Sequence, residues 1–326
     1  MNLRALKRAA AMTSECTDLN PADFAERMRG IPVDRLLAVA VSGGSDSVAL
    51  MRLMARWAAA VGAPLPHALT VDHGLRATAA AEAEAVAAWA ATLGLPHATL
   101  RWHPGAAVGN LQARARNARY RLMGGYCCTH RIATLVTAHT VDDQAETVLL
   151  RLARGSGVDG LGAMARIAPW PVADPRFRDL RVLRPLLDVD RAALRATLAR
   201  DGHGWIDDPS NDDPRFARVQ VRAAWDALAG LGITRRGLAD TAARLADAGA
   251  ALDWAAADLW ARAAVVDPAG FVRLDRAALA AAPFELARRA LNRALAVVGG
   301  GTYPPRHDRL RRLYDGLVVA GARRGA

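Results

Sequence analysis

Small residues follow an apolar segment near the start of the chain. Residues 36–41 (LLAVAV) predict a buried strand, and an apolar helical run begins a few positions later. A turn of small residues between a strand and a helix gathers backbone N–H groups at the positive helix end, where phosphates bind. The alternative is an ordinary Ser/Gly turn in which Asp46 is an N-terminal helix charge. The pattern favours a phosphate-binding loop made of Ser42, Gly43, Gly44, Ser45, Asp46 and Ser47.

This loop differs from two common nucleotide-binding motifs. A Walker-type loop needs a lysine that reaches the phosphates, and Lys7 is the only lysine of the chain. A dinucleotide fingerprint needs G-x-G-x-x-G, which the spacing of Gly43 and Gly44 does not match. A carboxylate beside phosphates requires a cation between them. Asp46 therefore predicts Mg²⁺ at the loop and a catalytic role for this carboxylate.

A second polar cluster occupies residues 138–147 (AHTVDDQAET), at a predicted strand-to-helix junction. Asp143 and Glu146 are three positions apart and share a helix face, while His139 ends the strand. Carboxylates can hold Mg²⁺ or a substrate ammonium, and an imidazole can bind phosphate or move a proton. The alternative is a capped helix, and we expect Asp142 to be its N-cap. The pattern predicts functional roles for His139 and Asp143, with Asp143 a second candidate ligand for Mg²⁺.

Two further segments carry candidate binding residues. Asp72 and His73 end a predicted strand, where a nucleotide ribose or base commonly rests, although His73 is equally compatible with a turn. Arg116 and Arg119 share one face of a predicted helix at residues 110–129. Such a face suits the phosphates of RNA or ATP, and a solvated basic face is the alternative. Tyr120 is expected in the core.

Strands and helices alternate over the first part of the chain. Strands are predicted at residues 36–41, 67–72, 97–102, 132–138 and 181–189, with helices between them. This alternation predicts an α/β fold, a doubly wound parallel sheet with ligands at the carboxyl ends of its strands. Residues 154–162 are rich in glycine and predict a mobile loop near the same edge. Helical patterning dominates later, so two domains are predicted, at residues 1–220 and a smaller, mainly helical one at 221–326.

Composition narrows the functional class. The 326 residues are 52% hydrophobic, as in a globular protein, and no uncharged apolar stretch is long enough to span a membrane. The N-terminus lacks a signal-peptide pattern, and Cys16, Cys127 and Cys128 make no disulfide framework, so we expect a cytoplasmic protein with Cys127 and Cys128 packed in a helix. The net charge of +11 indicates a polyanionic partner such as nucleic acid.

Seven segments between residues 30 and 222 occur together in a characteristic order. They are SGGSDS at 42–47, VDHGLR at 71–76, ARNARY at 115–120, AHTVDDQAET at 138–147, RGSGVDGL at 154–161, RPL at 184–186 and WIDDPSNDD at 205–213. In this order they resemble the tRNA(Ile)-lysidine synthetases, a family of PP-loop ATP pyrophosphatases. The chain resembles a short form of that family.

The resemblance implies an enzyme that ligates L-lysine to the wobble cytidine of tRNA(Ile) with a CAU anticodon, using ATP and Mg²⁺. It implies ATP binding by residues 42–47, catalysis by His139 and Asp143, and lysine recognition by Glu146. It also implies substrate binding by Arg218 and Arg222, although Val219 replaces a family asparagine and Thr140 a second histidine. No membrane or obligate protein partner is expected. A PP-loop tRNA thiolase and a catalytically silent RNA-binding protein are the alternatives.

Overall fold

The computed structural model of the protein describes residues 18–74, 78–103, 111–207, 215, 217–299, 305 and 307–319. Parts of the segments named above, at residues 75–76, 208–213 and 216, lie outside these ranges, as do residue 110 and Cys16. The strands are β1 Leu37–Ala40, β2 His67–Asp72, β3 His97–Arg101, β4 Thr134–Val136, β5 Ile167–Pro169, β6 Arg181–Leu183, β7 Ala264–Val266 and β8 Val272–Leu274.

Helices separate most of these strands. The α-helices are α1 Pro21–Arg27, α2 Ser45–Val61, α3 Ala79–Thr92, α4 Leu111–Thr129, α5 Val141–Leu152, α6 Val158–Leu161, α7 Arg191–Arg200, α8 Ala217–Ala223, α9 Trp225–Gly230, α10 Arg235–Ala263, α11 Arg276–Ala281, α12 Phe284–Gly299 and α13 His307–Tyr314. The local sequence determines where α2 ends. Gly62 takes a left-handed C-cap conformation (φ +69°), and its N–H donates to Ala58 O.

The first six strands form one sheet, in the order β3-β2-β1-β4-β6-β5. The pairs β1–β2, β1–β4, β2–β3 and β4–β6 are parallel, and β5 is an antiparallel edge strand beside β6. The strand order reverses between β1 and β4. Ligands of doubly wound sheets bind outside the carboxyl ends of the strands at such a reversal. The segments after β1 and β4 are therefore the expected walls of a site.

Alternate residues of the central strands pack on opposite faces of the sheet. Val39 of β1 and Val136 of β4 join a core with α1, α2, α3 and α7. Ala38 and Leu135, one position earlier, join a second core with residues of α4, including Tyr120. Helices thus cover both faces, and the predicted doubly wound α/β fold is confirmed. Tyr120 is buried, as predicted.

Three local expectations differ from the structure. The predicted strand at residues 181–189 ends at Leu183, because Pro185 cannot donate a ladder hydrogen bond. The edge strand β5 was not predicted; it has three residues and ends at Pro169. The glycine-rich segment at residues 154–162, predicted as a loop, contains α6.

The chain divides into two compact units. The first comprises Met1–Gly155 and Ala163–Asp240, and the second Ser156–Gly162 and Thr241–Ala326. The first unit contains the six-stranded sheet and every predicted site residue. In the second unit Leu259, Leu279 and Leu310 form a separate core, and Asp159 pairs with Arg288. The division into domains at residues 1–220 and 221–326 stays a prediction. Along the described ranges, every helix is too short or too polar to span a bilayer.

Candidate functional site

The phosphate-binding loop, residues 42–47, is held by its own serines. Ser47 Oγ accepts a hydrogen bond from Ser42 N at 3.1 Å and donates one to Gly44 O at 3.0 Å. Gly44 is the extended N-cap of α2 and makes no side-chain cap. The N–H groups of a first helical turn have no partner within the helix, so they are available to an anion.

Gly43 is required by the path of the backbone. Its φ is +87°, a left-handed conformation that favours glycine. Its carbonyl accepts a hydrogen bond from Ile206 N at 2.9 Å. A Cβ atom at position 43 would lie 2.8 Å from Ile206 Cδ1 and 3.5 Å from Val86 Cγ2. The loop therefore packs directly against Ile206 of the WIDDPSNDD segment.

Arg191, the first residue of α7, connects the loop with α5. Its Nε donates to Asp46 Oδ2 at 2.8 Å, and its Nη2 lies 3.7 Å from Asp143 Oδ2. Burial raises the pKa of Asp46; Arg191 opposes this rise and the charge of Asp143 adds to it. Burial alone would lower the pKa of Arg191, but the two carboxylates raise it. Two acidic side chains thus converge on one cation.

Thr140, rather than Asp142, is the N-cap of α5, so the expectation for Asp142 is wrong. The backbone of Thr140 is extended, with φ −117° and ψ 179°, which a β-branched residue favours. Thr140 N and Oγ1 each donate to Asp143 Oδ2 at 3.0 Å. Asp142 accepts instead from Arg191 N at 3.0 Å and pairs with Arg235 at 3.2 Å. Asp143 therefore both closes the cap and faces Arg191.

Glu146 lies one helical turn after Asp143 and faces α8. Its Oε1 accepts from Arg222 Nε at 2.6 Å, and its Oε2 lies 3.8 Å from Arg218 Nε. Arg218 Nη1 is also 4.0 Å from Asp143 Oδ1. Glu146 is 1% exposed, and its Oε2 has no hydrogen-bond partner among the described residues. A buried acceptor of this kind is suited to a further cationic donor.

These contacts form a row of alternating charges that starts at the phosphate-binding loop. Each neighbouring pair in the row lies between 2.6 and 4.0 Å apart. The order of this charged row is Asp46, Arg191, Asp143, Arg218, Glu146 and Arg222. Asp46, Asp143 and Glu146, three of the four carboxylates proposed from the sequence as site residues, are thus brought together in the first unit with two of the four predicted arginines.

His139 lies beside the row in a cationic environment. Its Nδ1 is 2.9 Å from Thr137 Oγ1. Burial lowers the pKa of His139 to about 4, against the attraction of Asp143, and the charges of Arg184, Arg116 and Arg218 lower it further. The imidazole is therefore neutral at physiological pH, and one ring nitrogen keeps an unshared electron pair.

The low pKa of His139 predicts a loss of stability in mild acid. Between pH 6.5 and 4 the unfolded chain binds a proton at His139 that the folded chain does not, so this residue should lower the free energy of unfolding by about 1.4 kcal/mol per pH unit as the pH falls. Urea unfolding at several pH values should show a flatter dependence for His139→Gln than for wild type. His103→Gln, at an exposed position, is the control and should follow wild type. Parallel curves for His139→Gln and wild type would contradict the prediction.

The remaining candidates lie around this centre. Arg116 and Arg119 are exposed on α4, and Arg116 Cζ is 5.2 Å from the centre of the Tyr120 ring. Strand β2 brings Asp72 and His73 to the same sheet edge as the loop. Asp72 Oδ1 accepts from Gly74 N at 2.8 Å, so this carboxylate also closes its own turn.

The cysteines of α4 lie at the other end of the sheet. Residues 127 and 128 precede β4, whereas the candidate site follows the carboxyl ends of the strands. Cys127 is buried, as expected, and burial raises the pKa of its thiol to about 12. Cys128 is exposed, so the expectation that both cysteines are packed inside is wrong for this residue. With so high a pKa, the Cys127 thiol is a poor nucleophile.

Arg191 and Arg184 are arginines of the site that were not predicted from the sequence. Arg191 contacts Asp46 and Asp142, which are 145 and 49 positions away, and nothing in its local pattern marks it. Arg184 is 6% exposed and donates to Ala165 O at 2.9 Å. Its position in the RPL segment was a signal, because that segment belongs to the ordered set of motifs, but its burial beside His139 is a tertiary property.

Known proteins match this arrangement in sequence and in fold. A family model described as a PP-loop domain matches residues 21–225. A protein from Methylobacterium nodulans named tRNA(Ile)-lysidine synthase is 43% identical over 326 residues, covering 96% of this chain and 92% of the relative. The chain belongs to the tRNA(Ile)-lysidine synthase family. The tRNA(Ile)-lysidine synthase of Ruegeria pomeroyi is 45% identical over 303 residues, covering 89% of this chain and 70% of the relative.

A solved structure supports the fold independently. The U34-tRNA thiolase NcsA from Methanococcus maripaludis, with its [4Fe-4S] cluster, superimposes with a TM-score of 0.55 at 16% identity, over 69% of this chain and 78% of that one. At this identity the likeness concerns the fold alone. As a member of the tRNA(Ile)-lysidine synthase family, the protein is an ATP-using ligase, and the predicted family is confirmed.

Proposed function

We propose that the protein ligates L-lysine to C2 of the wobble cytidine, position 34, of tRNA(Ile) with a CAU anticodon. It acts in the cytoplasm without a membrane or an obligate protein partner. The observation that carries this proposal is the charged row, because it joins a phosphate-binding loop to a buried carboxylate that suits an ammonium group. Membership of the tRNA(Ile)-lysidine synthase family supports the same reaction.

The reaction proceeds in two balanced steps. The C2 carbonyl oxygen of the cytidine attacks the α-phosphorus of ATP, and pyrophosphate leaves. The neutral ε-amine of lysine then attacks C2 of the adenylated base, the C2–O bond breaks, and AMP leaves. The amine loses a proton to water as the new C2–N bond forms. Because each ligation consumes one adenylated base, one lysine is joined for each ATP converted to AMP and pyrophosphate. Both steps develop negative charge on phosphate oxygens, which cations and N–H donors stabilise.

The phosphate-binding loop would hold the pyrophosphate part of ATP. Ser42, Ser45 and Ser47 offer hydroxyl groups, and Gly43 and Gly44 allow the backbone to approach the phosphates closely. Asp72 and His73, at the end of the neighbouring strand β2, would contact the ribose or the base. This assignment agrees with the position of the loop at the reversal of strand order between β1 and β4.

Asp46 and Asp143 would bind Mg²⁺. Proteins hold this ion through one or two carboxylates together with substrate phosphates. Both aspartates direct Oδ2 towards one guanidinium, so their geometry suits a shared cation. Within the described ranges no group of three or more His, Cys, Asp or Glu side chains could hold a metal, so phosphates and water would complete the coordination. The bound ion would neutralise charge on the departing pyrophosphate.

Glu146 and His139 would serve the lysine step. Glu146 Oε2 is buried without a hydrogen-bond partner among the described residues, so it can accept a proton-bearing nitrogen of lysine. His139 is neutral and can accept a hydrogen bond. Because its pKa is low, it is better suited to positioning the substrate than to taking up a proton from it. Arg218 and Arg222, which fix Glu146, would also face the substrate.

The exposed arginines of α4 would contact tRNA. Arg116 and Arg119 lie on one helix face, and Arg116 is close enough to His139 to lower the pKa of that residue. Guanidinium groups bind backbone phosphates by paired hydrogen bonds. The net charge of +11 gives the chain a general attraction for a polyanion. These contacts would hold the anticodon while the base enters the site.

A direct test is lysine incorporation. Purified protein should attach radiolabelled lysine to an unmodified tRNA(Ile) transcript bearing CAU, with ATP and Mg²⁺ present. One AMP should form for each lysine attached, because the two steps are coupled. The product is measured by acid precipitation and thin-layer chromatography of nucleoside digests.

The control is the same transcript with a GAU anticodon, which has no cytidine at position 34 and should stay unlabelled. Incorporation of sulfur from a persulfide donor, without lysine, would favour the thiolase alternative. Tight tRNA binding with neither AMP release nor lysine transfer would favour a silent RNA-binding protein. Either result would overturn the proposed reaction.

A further inference from the structure

The guanidinium of Arg191 lies against the carboxylate oxygens to which Mg²⁺ is assigned above. Arg191 Nε is 2.8 Å from Asp46 Oδ2, and Nη2 is 3.7 Å from Asp143 Oδ2. Both oxygens belong to the first unit and face the same guanidinium. Asp143 Oδ2 is also fixed by two hydrogen bonds from Thr140. The arginine therefore neutralises a pair of acidic groups that would otherwise repel each other.

Arg191 and Mg²⁺ compete for these oxygens. A magnesium ion binds oxygen at about 2.0 to 2.1 Å and needs a nearly octahedral shell. A guanidinium hydrogen-bonded to the same oxygen would lie about 4 Å from the ion, and two cations at that distance in a partly buried site repel each other. Entry of the ion at this site therefore weakens the hold of Asp46 on the Arg191 side chain and favours its departure.

The surroundings allow the side chain to move while the backbone stays. Arg191 N donates to Asp142 Oδ2 at 3.0 Å, which anchors the first residue of α7. Further along α7, Leu194 and Leu198 are fully buried in the core shared with α2. The Arg191 side chain itself is 23% exposed, so it has an open direction. Arginine rotamers exchange rapidly when one end is free of packing.

We propose that Arg191 is the resident counter-ion of the metal site in the free enzyme, and that Mg²⁺ arriving with ATP displaces it onto the phosphates. The displaced guanidinium then adds a donor to the nucleotide, because it pairs readily with phosphate oxygens. Metal binding without nucleotide is weak, since the ion must displace Arg191 without offering it a new anion. This inference rests on the proposed assignment of Mg²⁺ to Asp46 and Asp143.

Manganese binding to the free protein tests the displacement. Mn²⁺ serves as the probe, and its free concentration is read by electron paramagnetic resonance in the absence of ATP. Arg191→Ala should bind Mn²⁺ about tenfold more tightly than wild type, because the competing cation is gone. Arg191→Lys keeps one charge on a compact ammonium and should fall between the two. Mn²⁺ should also raise the melting temperature of Arg191→Ala more than that of wild type.

The affinity for nucleotide should change in the opposite direction. In calorimetric titrations, Arg191→Ala should bind Mg²⁺·ATP about tenfold more weakly than wild type, because the phosphates lose a guanidinium. A residue that merely supports α7 would not tighten the metal while weakening the nucleotide. The opposite signs of the two effects are therefore specific to displacement.

Two matched variants separate this effect from general electrostatics and from stability. Arg218→Ala removes a guanidinium 4.0 Å from Asp143 that makes no described contact with Asp46, and it should tighten Mn²⁺ only slightly. Arg52→Ala removes a half-buried arginine of α2 that, like Arg191, links α2 and α7. Arg52 pairs with Asp201 at the end of α7 at 3.4 Å, and Arg56 remains to pair with Asp201 in the variant. It should change stability but not Mn²⁺ binding.

The contrary outcomes are distinguishable. If Asp46→Asn weakens Mn²⁺ binding but Arg191→Ala does not tighten it, or tightens it no more than Arg218→Ala, the displacement is wrong and the metal assignment stands. If Mg²⁺·ATP binds Arg191→Ala as tightly as wild type, the transfer to the phosphates is wrong. If Asp46→Asn and Asp143→Asn leave Mn²⁺ binding unchanged, the metal assignment fails and this inference fails with it.

Discussion

Asp46→Asn should lower pyrophosphate release from ATP in the presence of tRNA(Ile) by about 10³-fold. Asp46 is the acidic residue of the phosphate-binding loop, and it stands at the N-terminus of α2 with its Oδ2 on Arg191. The substitution removes a proposed Mg²⁺ ligand and also releases Arg191 from its partner. An amide has nearly the same shape as the carboxylate, so the loss concerns charge rather than packing.

The fold should survive this change. Burial raises the pKa of Asp46 above its ordinary value, so the unfolded chain loses this proton at a lower pH than the folded chain. Ionised Asp46 therefore destabilises the fold at neutral pH, and a neutral amide removes that cost. The lost bond to Arg191 acts in the opposite sense. We expect a melting temperature within about 3 °C of wild type.

Pyrophosphate release is measured with a coupled assay and the fold by circular dichroism. Asp188→Asn is the control, because Asp188 forms a surface ion pair with Arg27 at 2.7 Å and is 59% exposed. That variant should keep the full rate. A rate for Asp46→Asn close to that of Asp188→Asn would exclude Asp46 from the adenylation step.

The fold could be predicted from local patterns because its central elements obey simple rules. Residues 37–40 are apolar and buried on both faces, as in the middle strand of a parallel sheet, and the helices on either side have long apolar faces. The edge strand β5 escaped prediction, since three residues that end in proline carry no periodic signal. Its pairing with β6 depends on tertiary contacts that a local pattern does not contain.

The site was predictable where its residues are neighbours in sequence. His139, Asp143 and Glu146 lie within one strand-to-helix junction, so their types and spacing indicated a cluster. The cap of α5 was misassigned because Asp is a strong N-cap residue in general, whereas the backbone here becomes extended at Thr140. Because the helix is capped by Thr140, Asp143 is the third residue of the helix and can close the capping box.

Arg191 was missed for a different reason. It belongs to α7, where the sequence pattern indicates a helix but no functional site. Its partners Asp46 and Asp143 come from α2 and α5. Charge pairing across such distances is fixed by how helices pack on a sheet, and no spacing rule reports it. Sequence motifs thus identify the residues that surround a substrate, while the charges that balance them emerge from the fold.

Gly43→Ala should impair both folding and ATP binding, for steric reasons that can be separated. The backbone at Gly43 has φ +87°, which costs an alanine about 1 kcal/mol or more. In addition, the new Cβ would lie 2.8 Å from Ile206 Cδ1, so the loop or Ile206 must shift. We expect a loss of about 2 to 3 kcal/mol in the free energy of unfolding and at least a tenfold weaker affinity for Mg²⁺·ATP.

Two companion variants assign the loss to its causes. Gly30→Ala has the same left-handed strain, with φ +81°, but a Cβ there meets nothing within 4 Å, so it should cost about 1 kcal/mol and leave ATP affinity unchanged. Ile206→Ala removes the clashing atom, so the double variant should be more stable than the sum of the single effects allows. Urea unfolding and calorimetric titration measure both quantities. Additive effects at positions 43 and 206 would mean that the contact does not shape the loop, and full ATP affinity in Gly43→Ala would mean that this loop does not hold the phosphates.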